Sequence, residues 1–301
     1  MSFRCSITVN RLFAVVAFAS ATLFASSHSL VRAQGTAPAA VTDATEPVVV
    51  VTLGSVNKLM QDINYLTGVV GQPQYGGIFQ MMAGTFTQGV DLNQPIGIIV
   101  PLVNGTPEPI ALLPTADVRT VLKRLEAQTG PADELDDGTL VIAVGANTVY
   151  IRQVGTWAAI ARNRDLLALA PTDPASLFEG MGNDYDIAIR LRMQLVPTET
   201  RNMLVAQLRQ GFEQAISKQD QADAEGTKAM AESSIKQIEQ LIQDTDELKI
   251  GWNIDQAGKQ LMFEGSFTAV AGSELAAMYG GQQAIPSQFA SVIRDDAAAY
   301  Y

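Results

Sequence analysis

VVVVTLGSVNKLMQDINYLTGVVG, residues 48–71, changes its period halfway along. From Val48 to Leu53 the run is continuously apolar and mostly β-branched, which suits a buried strand. Beyond Gly54, the residues Val56, Leu59, Met60, Ile63, Leu66 and Val70 recur at helical spacing and give a helix one apolar side. A strand that feeds an amphipathic helix makes this a mixed α and β chain.

The pattern continues outward from that junction. In DLNQPIGIIVPLVNGTPEPIALLP, 91–114, Asn104-Gly105 separates two apolar strands and signals a hairpin. Thr115 is placed to cap a helix over 115–128, with Val118, Val121, Leu122 and Leu125 on one side. Three short strands follow between 138 and 162, and NRDLLALA, 163–170, reads as a short helix. Asp173-Pro174 marks a boundary, after which YDIAIRLRM, 185–193, alternates as a half-buried strand. Residues 198–243 read as one long helix or a helical hairpin. ELKIGWNI and KQLMFEGSFTAV are two further strands, and SELAAMYGG opens another helix. The expected fold class is α+β, with antiparallel or mixed sheets packed against helices in two similar units, 48–172 and 173–301. Each unit runs strand, helices, antiparallel strands, although no residue-by-residue repeat joins them.

The first 33 residues read as an export signal. Met1 to Arg11 carries Arg4 and Arg11 and no acid, and LFAVVAFASATLFA, 12–25, is too short to span a bilayer. Val31-Arg32-Ala33 puts small residues where signal peptidase reads them, so cleavage is expected between Ala33 and Gln34, with 34–47 a flexible leader into the fold. The expected location is therefore periplasmic or extracellular, with no membrane span in the processed chain. Cys5 and His28 are the only cysteine and histidine, and both leave with the signal. Disulfides, thiolate nucleophiles, Cys/His zinc sites and Ser-His-Asp triads leave with them.

Charge narrows the partners. The whole chain has a formal net charge of −11, and losing the three cations Arg4, Arg11 and Arg32 takes it to −14. Nucleic acid is not an expected partner, because phosphate binding requires a basic surface. No residue pattern calls for a cofactor.

Four constellations compete as sites. Ser55-Val56-Asn57-Lys58 has the S-x-x-K spacing of lysine-activated serine enzymes, but no K-T-G follows; a helix N-cap with a solvated lysine is the simpler reading. Residues 221–232 approach an EF-hand loop, with Gly226 sixth and Glu232 twelfth, yet Gln221 stands where aspartate is needed, and a turn between helices is favoured. Asp133-Glu134-Leu135-Asp136-Asp137-Gly138 reads as a solvated acidic turn more readily than as a cation site. Arg190 and Arg192 share one strand face and suit an anion, although pairing with nearby carboxylates is simpler.

QYGGIFQMMAGTFTQGV, 74–90, is apolar and glycine-rich on several sides, and is either a close-packed second helix or a surface that meets a partner. Ile78, Phe79, Met81, Met82 and Phe86 are the candidate interface residues. DLNQPIGIIVPL, 91–102, and GSELAAMYGGQQAIPSQFASVIRDDAAAYY, 272–301, resemble a group of exported planctomycete proteins without an assigned activity. That resemblance implies no catalytic residues, and it implies a chain that continues past the segment ending at Tyr301. The leading expectation is a non-catalytic binding or scaffolding protein of the cell envelope, with an envelope protein as partner. A carboxylate-dependent hydrolase, for instance on carbohydrate, and a carrier of a small apolar ligand are the alternatives.

Overall fold

The computed structural model describes residues 2–8, 46–145, 147–216 and 224–280. Its strands are β1 Ser2–Thr8, β2 Val49–Ser55, β3 Pro95–Val100, β4 Leu102–Val103, β5 Thr106–Pro107, β6 Ile110–Pro114 and β7 Asp133–Glu134, then β8 Leu140–Val144, β9 Asn147–Val154, β10 Trp157–Ala161, β11 Ile187–Arg192, β12 Thr245–Asp255 and β13 Gln260–Ala269. The helices are α1 Val56–Val69, α2 Pro73–Phe86, α3 Val118–Thr129, α4 Pro174–Leu177, α5 Thr198–Ile216, α6 Ala224–Asp244 and α7 Glu274–Gly280. The fold is α+β, and its strand pairs are antiparallel.

Eleven strands form one sheet in the order β1-β13-β12-β11-β2-β3-β6-β10-β9-β8-β7. This order contains a palindrome. Strand, two helices, two strands and a helix occur first as β2-α1-α2-β3-β6-α3 and again as β11-α5-α6-β12-β13-α7, interrupted in the first copy by the short β4-β5 hairpin. In the sheet the two copies run outward from a shared seam, where β2 pairs with β11 through Val51 opposite Ile189. The sheet therefore continues across the expected boundary at Asp173-Pro174, and the two copies are joined by backbone hydrogen bonds. Paired backbones of this kind constrain conformation and not side-chain identity, which is how two such copies share a topology without a readable repeat.

One sheet face holds the main core. Ala188, Thr52, Gly97, Leu112 and Ala159 lie opposite one another across five strands, and the segment 164–182 covers them with Leu166, Leu167, Phe178 and Met181. Gly97 is required by that cover: a Cβ there would lie 2.1 Å from Cε1 of Phe178. The Phe178 ring packs on Trp157 with centroids 5.6 Å apart. The opposite face is covered at one end by α3, whose Val118 and Leu122 meet Leu140, Ile142 and Ala158.

One local expectation is corrected by capping chemistry. Asp117, not Thr115, caps α3, accepting from the backbone N–H groups of Arg119 and Thr120. Thr115 is buried, and its hydroxyl donates to the Gly89 carbonyl at 2.7 Å. NRDLLALA forms the expected short helix, as a 3-10 helix over Arg164–Leu169 behind an Asn163 cap. The Asn104-Gly105 hairpin forms as expected, with both residues at positive φ, 52° and 78°. The cleavage point Ala33/Gln34 and most of 1–47 lie outside the described residues.

Candidate functional site

The helix α2 places the predicted interface in the open. Ile78, Phe79, Met81 and Met82 are 48%, 40%, 71% and 56% exposed, and Tyr75 adds another large side chain at 57%. Phe86 ends the helix, and its side chain is outside the described set. The close-packed alternative for this segment is thus overturned: α2 leans on α1, and Gly76 sits so near Asn64 and Thr67 of that helix that a Cβ would meet the Asn64 amide oxygen at 2.2 Å. Glycine at the α1 contact lets the two backbones approach, while the larger side chains turn outward. Residues 63–90 carry no charge at all, in a chain whose net charge is −11. Burying such a surface against another apolar surface costs no ion desolvation.

Beside this helical hairpin lies the second apolar surface. On the sheet face away from the main core, Ile96, Leu53, Ile187, Trp252 and Phe263 form one cross-strand row. Ile98, Val51, Ile189 and Ile250 form the next, and Val100, Val49, Leu191, Leu248 and Phe267 the third. The rows cross β3, β2, β11, β12 and β13, about 19 Å at ordinary strand spacing. Ile98, Ile189 and Phe263 remain 41%, 36% and 37% exposed. The other members of the rows are half-buried, so this face leaves apolar side chains partly open to a partner.

A buried polar cluster fixes α1 to the seam. Lys58 Nζ donates to Asp62 Oδ2 at 3.0 Å, to Asn253 Oδ1 at 2.6 Å and to Asp186 Oδ1. Asp62 also accepts from Gln256 Nε2 at 2.7 Å, and Asp186 from the Ile254 backbone N–H at 2.7 Å. The Asp62 and Asp186 side chains are 1% and 2% exposed, whereas Lys58 is 43% exposed. Burial pushes the Asp186 carboxyl above its ordinary value, an effect its Lys58 and Ile254 partners only partly offset. Burial works against the Lys58 ammonium too, but the hydrogen bonds to Asp186 and Asp62 outweigh it and raise its pKa.

The sequence did not single out Asp62 or Asp186. One signal was present: Asp62 falls between Leu59 and Leu66 at helical spacing, a charge on the apolar side of α1 with Lys58 one turn before it. Ser55 is the α1 N-cap, accepting from the Lys58 N–H at 3.2 Å while its hydroxyl donates to the Leu92 carbonyl at 2.9 Å. Its cap role is as expected, but Lys58 is not simply solvated, since its ammonium is directed to the aspartates and not to the serine.

The other constellations are accounted for locally. Asp133 and Glu134 form the two-residue edge strand β7, and Glu134 faces Arg119 in a bidentate pair. A hydrogen bond from Arg164, supported by the Thr139 N–H, holds the Asp137 carboxyl down at about 2. Arg192 pairs with Glu46 and Glu247, and Arg190 donates to the Leu177 carbonyl at 2.9 Å. Residues 221–223 lie outside the described residues, and α6 is already helical from Ala224 through Glu232. A helix over 224–232 leaves no EF-hand loop there, while the connection between α5 and α6, where the expected turn between helices would fall, lies outside the described residues. Among the described residues no cluster of acidic, histidine or cysteine side chains is arranged to hold a metal ion, and no helix is long and apolar enough to cross a membrane. A hollow of about 230 Å³ beside α3 has a mixed lining, with Arg119, Lys123 and Glu134 beside Leu122, Pro131 and Leu140.

No protein-family model matches the chain, and no curated protein matches it. A solved structure described as crystal form IV of TP0453 is similar at a TM-score of 0.30 and 7% identity, covering 49% of this chain. The chain spans 61% of that structure's length, and a likeness at this level carries no argument about function.

Proposed function

We propose that this is a non-catalytic binding or scaffolding protein of the cell envelope that engages an envelope protein through α2. The observation that carries the reading is the exposure of Tyr75, Ile78, Phe79, Met81 and Met82 on a helix that packs chiefly against α1. Large flexible Met and aromatic side chains on an uncharged surface suit association with an apolar partner surface. The carboxylate-hydrolase alternative gains nothing from Asp62 and Asp186. They share one lysine and are sealed from solvent, whereas glycosidic chemistry needs two carboxylates facing a sugar in a cleft. The test is a pull-down from envelope extract with the exported chain as bait. One protein recovered near stoichiometry by the wild type, and lost with Phe79→Glu or Met82→Lys, supports the reading; equal recovery by wild type and both variants contradicts it.

A second reading is favoured by the three cross-strand rows on the sheet, which suit an apolar small molecule as well as a protein surface. Ile98→Glu and Ile189→Glu place a charge at the centre of that surface. Loss of a bound fatty-acid probe in those variants, with Phe79→Glu unaffected, would transfer the function from α2 to the sheet.

A further inference from the structure

Taking α2 as the working surface, we propose that its partner is a second copy of this chain, with the two α2 helices packed antiparallel across a two-fold axis. Spacing, charge and area each favour a copy over an unlike partner or are met by one.

Gly76 faces α1, and at about 3.6 residues per turn Gln74, Ile78, Met81 and Thr85 point the opposite way. All four are exposed, Ile78 by 48% and Met81 by 71%. Their steps of four, three and four are those of a helix-pairing seam, and they read the same in both directions. A second α2 running the opposite way therefore presents the matching seam. Ile78 meets Met81 of the second copy and Gln74 meets its Thr85, and each contact occurs twice. That is the isologous pattern of a two-fold dimer. An unlike partner places no such demand on the spacing. Tyr75 and Met82 lie together on one flank, where the two-fold sets each ring beside the other copy's thioether. On the other flank a Cβ at Gly77 or Gly84 would stand in open space, so nothing there holds a second helix away.

Charge selects the same surface. Two copies of a chain with net charge −11 repel each other wherever acidic surfaces approach, and residues 63–90 carry no charge. Through α2, like meets like without bringing carboxylates together. The area is sufficient for a reversible dimer. Fourteen residues make a helix about 21 Å long, and pairing along it buries on the order of 1,000 Å² over the two copies. This is the lower limit of a specific interface, and it corresponds to a dissociation constant on the order of 10 μM.

The experiment is sedimentation velocity on the purified chain, its N-terminus read by mass, from about 1 to about 200 μM. Wild type is expected to pass from monomer to twice the monomer mass over that range. Its association should tighten about threefold from about 0.05 to about 0.5 M salt, as screening weakens the repulsion between two acidic copies. Met81→Glu is expected to stay monomeric with the wild-type Tm, since the side chain is 71% exposed. Cysteine trapping in a Cys5→Ser background checks the pairing. An equal mixture of Ile78→Cys and Met81→Cys chains is expected to oxidise to the mixed dimer in about tenfold excess over either like pair. A wild type that is monomeric at about 200 μM overturns the proposal, as does a dimer that Met81→Glu forms equally well. Like pairs as abundant as the mixed one overturn the antiparallel packing. A monomer that floats with phosphatidylcholine vesicles overturns the second copy in favour of a lipid surface. A monomer that recovers a different envelope protein, lost with Phe79→Glu, overturns the second copy and leaves α2 as the working surface, whereas recovery indifferent to Phe79→Glu sinks both.

Discussion

Lys58→Met should unlatch the seam between the two copies. The substitution keeps the length of the side chain and removes the ammonium that bridges Asp62, Asp186 and Asn253, leaving two carboxylates that are 1% and 2% exposed without their shared cation. Removing one partner of a buried ion pair costs about 3–5 kcal/mol. Lys58 itself is 43% exposed, so water already screens part of its interaction, and the expected loss is about 2–3 kcal/mol. For a domain of 150–250 residues that corresponds to a fall in Tm of about 4–12 °C. The loss should also depend on pH. Burial already raises the Asp186 carboxyl and loss of the ammonium removes its main offset, so in the folded variant Asp186 binds its proton more tightly than in the unfolded chain and the variant gains stability relative to wild type as pH falls. Urea unfolding at about pH 8 and about pH 4 measures both effects, and Lys58→Met/Asp186→Asn should recover at least about 1 kcal/mol at the higher pH. A loss below about 0.5 kcal/mol with the same value at both pH settings would refute the latch.

Further outcomes follow from other parts of the fold. Gly97→Ala drives a methyl group to 2.1 Å from the Phe178 ring and should cost about 1–3 kcal/mol in urea unfolding, with the near-ultraviolet signal of Trp157 altered; a neutral result would mean that the 164–182 cover does not press on β3. Phe79→Glu should leave stability within about 0.5 kcal/mol of wild type, because the side chain is 40% exposed on a helix outside the main core. The Asp137 carboxyl should titrate near pH 2 by NMR. Its folded value lies below the ordinary 3.8, so its contribution to stability is present above 3.8 and fades as pH falls through about 2. A midpoint at 3.8 would show that the Arg164 contact does not persist in solution.

Much of this architecture is legible in the sequence because it rests on local periodicity. The strand-to-helix switch at Ser55 and the Asn104-Gly105 hairpin each carry their own signal and form where expected; the strand Ile187–Arg192 forms too, but with Ala188 and the preceding Asp186 buried and Ile189 36% exposed, so its alternation did not tell which side is covered. The apolar, uncharged character of α2 was equally plain. What periodicity cannot supply is which side of that helix is covered, since the answer lies in Gly76 seated against α1. The seam was hidden for a different reason. Val51 opposite Ile189 is one of many registers open to two apolar strands, and its selection involves an ion pair between residues 128 positions apart, Lys58 and Asp186. The cap of α3 shows a smaller version of the same limit. Thr115 and Asp117 are both good caps, and burial of the Thr115 hydroxyl against Gly89 leaves Asp117 to serve the helix.

The claim that α2 is a working surface is tested most directly by photo-crosslinking in living cells, with a photoreactive residue at Phe79, at Met82, or at Arg124 on the outer side of α3. The account predicts one discrete adduct from positions 79 and 82 and none from 124. Equal, diffuse labelling from all three positions would contradict it.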